Sequence, residues 1–297
     1  MDSLVINESM NIRIIPRLDI KGPNLVKGIH FEGLRVLGKP EEFAGFYYRN
    51  GADELFYQDA VASLYGRNSL LEIIRRTSKN IFIPLCVGGG LRTIGDVRDV
   101  LRAGADKVAI NTAAIKSPDL IKASAETFGS STIVASIEAV KNRNDMYEAC
   151  IDYGRELTGQ DAVKWAENAA ELGAGELLIT SIDREGTGKG YDIELIKQIA
   201  ESVSVPVIAG GGCGCLEHLS DVIDSAKANA VSLASSLHYH AVGSGAISHD
   251  ETLFQEEGNT VFMKSGRRCT NIKTFSILEA KNYMRNNGIQ CRNEVTL

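Results

Sequence analysis

The chain has 297 residues, 44% of them hydrophobic and 24% charged, with 29 glycines and a formal net charge of −6. That length suits one (βα)8 unit or two modest domains, and the apolar content supports a large core. The acidic balance, with no basic run longer than the one ending at Arg267 and Arg268, excludes a nucleic-acid footprint, and the lack of any run of about 18 apolar residues excludes a membrane span.

Residues 1–10 read as an N-terminal extension without the basic-then-apolar pattern of a signal peptide, so a cytoplasmic location is expected. From Asn11 onward, short apolar runs alternate with stretches of helical length such as 41–50 and 94–103. Strands are predicted at about 12–19, 53–59, 81–87, 106–111, 132–138, 176–181, 206–210 and 230–234. Within the first, alternation sends Arg13, Ile15, Arg17 and Asp19 to one face. Lys27 then opens a glycine-containing loop through Phe31 and Arg35, with phosphate neutralisation or closure over a ligand as its expected role.

The second half of the chain repeats the first. Gly51 to Asp59 matches Gly173 to Ser181, 122 residues later; Ile83 to Gly90 matches Val205 to Gly212 in the same register; and Ala105 to Thr112 matches Ala228 to Ser235 at 123. Four βα units occurring twice predict a single α/β domain over residues 11–297, a (βα)8 TIM barrel with a twofold half-barrel repeat. A doubly wound sheet shares the βα alternation but requires no such repeat.

The repeat also pairs the candidate sites. Gly88, Gly89 and Gly90, and likewise Gly210, Gly211 and Gly212, lie between a strand and a helix, where backbone amides close on an anion without side-chain interference. Asn111 and Thr112 partner the first run, and Ser235 and Ser236 the second. Asp19 ends its strand on the functional face, and its repeat mate Glu138 follows 119 residues on, so two carboxylates suited to general acid and base work face a common mouth. Strand capping or pairing with Lys27 is the plainer reading of the same residues.

Alternation also makes Arg13, Glu54, Lys107 and Glu176 the first inward residues of strands one, two, four and six, a balanced ring at the bottom of the barrel. A paired buried network is the structural alternative to a functional ring. The six cysteines read as reduced thiols, with Cys86 packing in the core. A zinc or redox site from Cys213, Cys215 and Cys269 lacks any CxxC pair, so neither metal nor cofactor is expected.

The runs Leu18 to Lys21, Leu25 to Gly28, Gly88 to Gly90, Asp106 to Thr112 and Thr180 to Arg184 resemble the cyclase subunit of imidazole glycerol phosphate synthase, from about Asn11 to His238 and again at the final helix. The resemblance implies a barrel that takes ammonia from a glutaminase docked at its N-terminal face. It would cleave and cyclise a bisphosphorylated aminoimidazole carboxamide ribonucleotide. It places Asp19 and Glu138 on the family's catalytic aspartates, and Thr180, Glu185 and Gly186 beside Lys27 and the glycine runs among the ligand-binding positions. It makes the Arg13, Glu54, Lys107 and Glu176 ring the ammonia gate.

Three residues depart from the family pattern: Glu138 and Glu185 stand for aspartates, and Arg17 for a small residue. An insertion at about 239–270 follows strand eight and is expected on the functional face as a lid, docking surface or decoration. These departures leave a second reading, a paralogue that conducts ammonia and activates a glutaminase for amidation of a nucleotide sugar or acetamido sugar in surface polysaccharide biosynthesis. A sister isomerase of the same half-barrel family is a third, but it would give the charged ring no purpose.

Overall fold

The structure, a computed structural model, describes residues 11–62, 70–247 and 271–293. Eight parallel strands form the barrel: β1 (Arg13–Lys21), β4 (Leu55–Asp59), β5 (Leu85–Gly88), β6 (Lys107–Ile110), β7 (Ile133–Lys141), β10 (Glu176–Ser181), β11 (Val207–Gly210) and β12 (Ala230–Leu233). Their hydrogen-bonded order runs β10-β11-β12-β1-β4-β5-β6-β7, and a six-residue register from Glu176↔Val134 to Ser181↔Ala139 closes it. The predicted (βα)8 barrel is therefore the fold, and the doubly wound sheet is excluded by closure.

Each strand sends one residue to a central layer: Ile15, Phe56, Cys86, Ala109, Val134, Leu178, Ile208 and Ala230 form one buried cluster. The intervening residues, such as Ile14, Leu18, Tyr57 and Val87, point outward and merge with the helices into the main core. Strand-facing stripes and local caps explain the helices. Thr93 and Asp96 form a reciprocal capping box at the start of α3 (Ile94–Ala103), which Gly104 ends in a left-handed conformation at φ 119°. Asp161 and Asp192 cap α6 (Ala162–Glu171) and α7 (Ile193–Ser202) through their carboxylates.

The remaining helices on the outer ring are α1 (Pro40–Arg49), α2 (Leu71–Thr77), α4 (Thr112–Lys116), α5 (Asp119–Phe128), α8 (Glu217–Ala226), α9 (Ser235–Gly243) and α10 (Ile277–Asn286). Among the described residues no helix is long and apolar enough to cross a membrane.

The structure corrects two features of the sequence reading. The third barrel strand spans 85–88 rather than 81–87, because Pro84 has no N–H for the ladder and Phe82 is 79% exposed. The segment after β1 is not a loop but an antiparallel hairpin, β2 (Asn24–Ile29) and β3 (Glu32–Gly38), whose first strand folds back with Asp19 opposite Val26. A second excursion, β8 (Tyr147–Ile151) and β9 (Glu156–Asp161), follows β7 in the same way, with Glu138 opposite Cys150. The twofold repeat thus includes its hairpins. They meet over the mouth, where the Phe31 and Tyr153 rings lie 4.2 Å apart between centroids.

Helix α9 extends to Gly243, into the range assigned to the insertion, because His238 and Ala241 on it are buried. Residues 1–10 and 248–270, with Cys269 among them, lie outside the described residues. Beyond them α10 seals the barrel's lower edge: Lys281, 1% exposed, donates to Asp53 Oδ1 at 2.7 Å, and Asp53 Oδ2 accepts from the Ile14 N–H at 2.8 Å.

Candidate active site

At the C-terminal ends of the strands, five charged side chains are buried together: Arg17, Asp19, Lys27, Glu138 and Glu185. Strand β1 supplies Arg17 and Asp19 on the same face, hairpin strand β2 folds Lys27 over them, and β7 brings Glu138 from the opposite half of the barrel. Arg17 Nε donates to Asp19 Oδ1 at 2.8 Å. Lys27 Nζ lies 3.9 Å from Asp19 Oδ2 and donates to Glu185 Oε1. Glu138 has no such cation; its Oε2 accepts from Asn111 Nδ2 at 3.2 Å.

These environments drive the two carboxyls apart. Burial alone would raise Asp19, but the positive charges of Arg17 and Lys27 outweigh it and hold Asp19 below the ordinary carboxylate range. Burial pushes Glu138 up to about 7, against the pull of Arg17 and with help from the negative charge of Asp19. At neutral pH the mouth therefore holds an ionised carboxylate and a carboxyl that still carries its proton for part of the population. That is the arrangement general acid and base catalysis requires.

The first glycine run borders a cavity of about 350 Å³ walled by Gly89, Gly90, Asn111, Thr112, Glu138 and Tyr153. Five expected residues are thus brought together there. Gly88 instead packs: a Cβ on it would lie 2.5 Å from Gln58 Oε1. The second run meets Glu185, Gly186 and Ser235 around a cavity of only about 20 Å³, into which Gly211 and Gly212 open. The two runs are geometric mates. Gly89 and Gly211 have φ of 97° and 86°, and a Cβ would lie 2.6 Å from Asp59 O in one and 2.8 Å from Ser181 O in the other.

Asp19, Lys27, Thr180, Gly210 and Ser236 line neither cavity, and Asp19 lies behind Arg17, which lines the second. Thr180 Oγ1 accepts from Arg17 Nη1 at 3.2 Å, and Ser236 Oγ donates to Cys213 O at 3.2 Å, so both hold the walls in place. Gly212 tolerates no side chain, since its φ is 102° and a Cβ would lie 2.2 Å from Gly190 O. Gly212→Ala is expected to break the Gly190 N–H to Gly212 O hydrogen bond, now 2.8 Å, and to lower phosphate affinity at this run while leaving the first cavity intact. Separate phosphate titrations followed at residues of each cavity check this.

At the opposite end of the barrel the expected ring is present. Arg13 bridges Glu54 and Glu176, each at 2.9 Å, and Lys107 bridges the same two at 3.1 and 3.0 Å. The four ion pairs close a complete circuit beneath the apolar layer. Within the apolar layer lies a void of about 10 Å³ lined by six layer residues together with Glu54 of the ring and Ser232, room for about one water-sized molecule.

Sequence reasoning missed the contribution of the second hairpin. Tyr153 and Asp152 wall the large cavity, and the Asp152 N–H donates to Thr112 Oγ1 at 3.0 Å. The repeat carried the signal, because a hairpin after β1 implies one after β7, but Tyr147 to Asp161 has no counterpart in residue identity. His238 was read only as a boundary. It is fully enclosed, its Nδ1 is 2.6 Å from Tyr47 Oη, and burial, aided by the charge of Lys27, lowers it to about 3, so it stays neutral beneath the site. Cys213 Sγ contacts Cys215 O at 3.5 Å, and among the described residues no group of three His, Cys, Asp or Glu is placed to hold a metal.

Fold and site together define a twofold-repeated (βα)8 barrel with two glycine-walled cavities beside a cluster of buried charged side chains. The histidine biosynthesis protein family matches residues 13–243. The chain is 59% identical over 210 residues to the imidazole glycerol phosphate synthase subunit HisF of Legionella pneumophila, covering 71% of this chain and 99% of that relative. It is 43% identical over 250 residues to the subunit HisF of Clostridium botulinum strain Okra, covering 84% and 98%. The chain belongs to the histidine biosynthesis protein family, in its branch of imidazole glycerol phosphate synthase cyclase subunits.

Proposed function

We propose that the chain uses ammonia to cleave and cyclise a bisphosphorylated aminoimidazole carboxamide ribonucleotide, releasing imidazole glycerol phosphate and the aminoimidazole carboxamide nucleotide. The observation that carries this reading is the split pair in one buried charge cluster: Asp19 is held ionised by Arg17 and Lys27, and Glu138, which walls the larger recess, is raised to about 7. One phosphate sits against Gly89, Gly90, Asn111 and Thr112, and the other against Gly186, Gly211, Gly212 and Ser235. Amide donors and helix starts supply both without a basic surface. Lys27 acts from behind, neutralising Glu185 so that a second phosphate meets less repulsion.

Glu138 serves as the general acid and Asp19 as the base. Ammonia comes from a glutaminase subunit on the N-terminal face, whose docking opens the Arg13, Glu54, Lys107 and Glu176 ring and admits it past the small void above. The test supplies the purified chain with ammonium and the ribonucleotide: turnover supports the reading, and a folded chain without turnover ends it. Because Glu138 must hold its proton, turnover at saturating ribonucleotide is expected to fall as pH rises through about 7, and this limb should vanish in Glu138→Gln, measured as the pH dependence of kcat.

Arg17 favours one second reading. Its buried guanidinium lines the second recess, which is left with only about 20 Å³, and a recess that small suits a chain that conducts ammonia for amidation of a nucleotide sugar or acetamido sugar without cyclising anything. The discriminating result is stimulation of a glutaminase that survives Glu138→Gln.

A further inference from the structure

Arg17 stands in the barrel centre at 3% exposure, and its surroundings fix the guanidinium plane. Nε is held by Asp19 Oδ1 at 2.8 Å and Nη1 by Thr180 Oγ1 at 3.2 Å. The rings of Phe31 and Phe56 lie 5.1 and 5.5 Å from the guanidinium carbon. Nη2, also buried, has no hydrogen-bond partner. A charged donor left unsatisfied in the interior forfeits its hydration with nothing in return, so a native site that keeps one has a partner that comes and goes.

The position of the orphan identifies that partner. Arg17 lines the small cavity of the second glycine run, and Ser232, whose Oγ is also buried without a partner, lines both this cavity and the void beneath it. The only carboxylate lining the cavity, Glu185, is paired with Lys27. With about 20 Å³ against about 350 Å³ in the first cavity, this space admits one water-sized atom and no ring.

We propose that Arg17 and Ser232 are specificity-determining residues that read one oxygen of a terminal oxyanion in the second recess and so fix which end of the ligand lies there. The bulky end occupies the large cavity beside Glu138, and the anionic tip, a phosphate or a carboxylate, stops against Arg17. The same guanidinium then joins the tip to Asp19, so occupancy of the recess and the orientation of that carboxylate are coupled through one planar group. The inference rests on the mouth being a ligand site, but not on cyclisation.

The test is a titration of the wild-type chain, 15N-labelled at arginine, with inorganic phosphate and separately with acetate, following the guanidinium signal that is absent from Arg17→Lys. A saturable shift of that signal with either anion is expected, and the anion that produces it names the tip. Arg17→Lys, which keeps a charge near Asp19 but lacks the fork, should weaken the second site by about tenfold or more. The first site, followed at the Asn111 side-chain amide, should keep its affinity. No movement of the Arg17 signal with either anion would overturn the proposal, as would two unchanged sites in the variant. A chain that shifts at Arg17 yet never turns over the ribonucleotide refutes cyclisation alone, and one that turns it over with Arg17 silent refutes this inference alone.

Discussion

Asp19→Asn is expected to lower turnover with ammonium by about 10²–10⁴-fold, the usual contribution of a positioned acid–base group, while leaving the chain folded. The amide keeps the shape of the side chain and an oxygen for Arg17 Nε, now at 2.8 Å, and Lys27 retains Glu185. What disappears is the negative charge. Since the charge of Asp19 helps to raise Glu138 and that of Arg17 to lower it, the variant frees Arg17 to act on Glu138 alone. The residual activity should therefore lose its alkaline limb at a lower pH than the wild type. Saturating kcat against pH, with circular dichroism as the folding control, measures both effects. An Asp19→Asn enzyme that turns over like the wild type would mean that the ionised carboxylate is only structural.

A large effect on stability is expected far from the mouth. Lys281, on α10, is enclosed with Asp53, to which Arg292 Nε also comes within 3.0 Å. Asp53→Asn leaves the lysine without a compensating charge, and breaking a buried pair by removing one partner costs about 3–5 kcal/mol. The double variant Asp53→Asn with Lys281→Met should recover most of that loss, because no uncompensated buried charge remains and the Asn oxygen still accepts from the Ile14 N–H. Urea unfolding midpoints of the three proteins decide the matter. A single variant as stable as the wild type would show that α10 contributes little to closing the barrel.

Much of this architecture was legible because it follows from two periodicities. A spacing of about 122 residues exposed the duplicated half-barrel, and alternation along β1 placed Arg13, Ile15, Arg17 and Asp19 in successive inward layers, ring, apolar floor and mouth, as the structure has them. The hairpins were not legible. Asn24 to Gly38 carries three glycines and a lysine, a composition that reads as loop, and its strands exist because they pair back on β1 rather than from any propensity of their own. The inequality of the two recesses was also hidden. Their glycine runs share left-handed backbone geometry at Gly89 and Gly211, whereas Arg17, which β1 projects into only one of them, lines the smaller recess.

Nor could sequence assign the protons. Asp19 and Glu138 are repeat mates with nearly the same chemistry, and only the positions of Arg17 and Lys27, both on the Asp19 side, separate them. That asymmetry underlies the proposed acid and base roles, the expected pH profile and the expected effect of Asp19→Asn.

Infrared difference spectroscopy of the wild-type chain across a pH series, with bands assigned by their loss in Asp19→Asn and Glu138→Gln, reads the two protons directly. Glu138 should release its proton near pH 7, with Asp19 remaining ionised to below the ordinary carboxylate range. If the two carboxyls titrate together as free carboxylates do, the barrel mouth does not divide their roles and the proposed chemistry loses its basis.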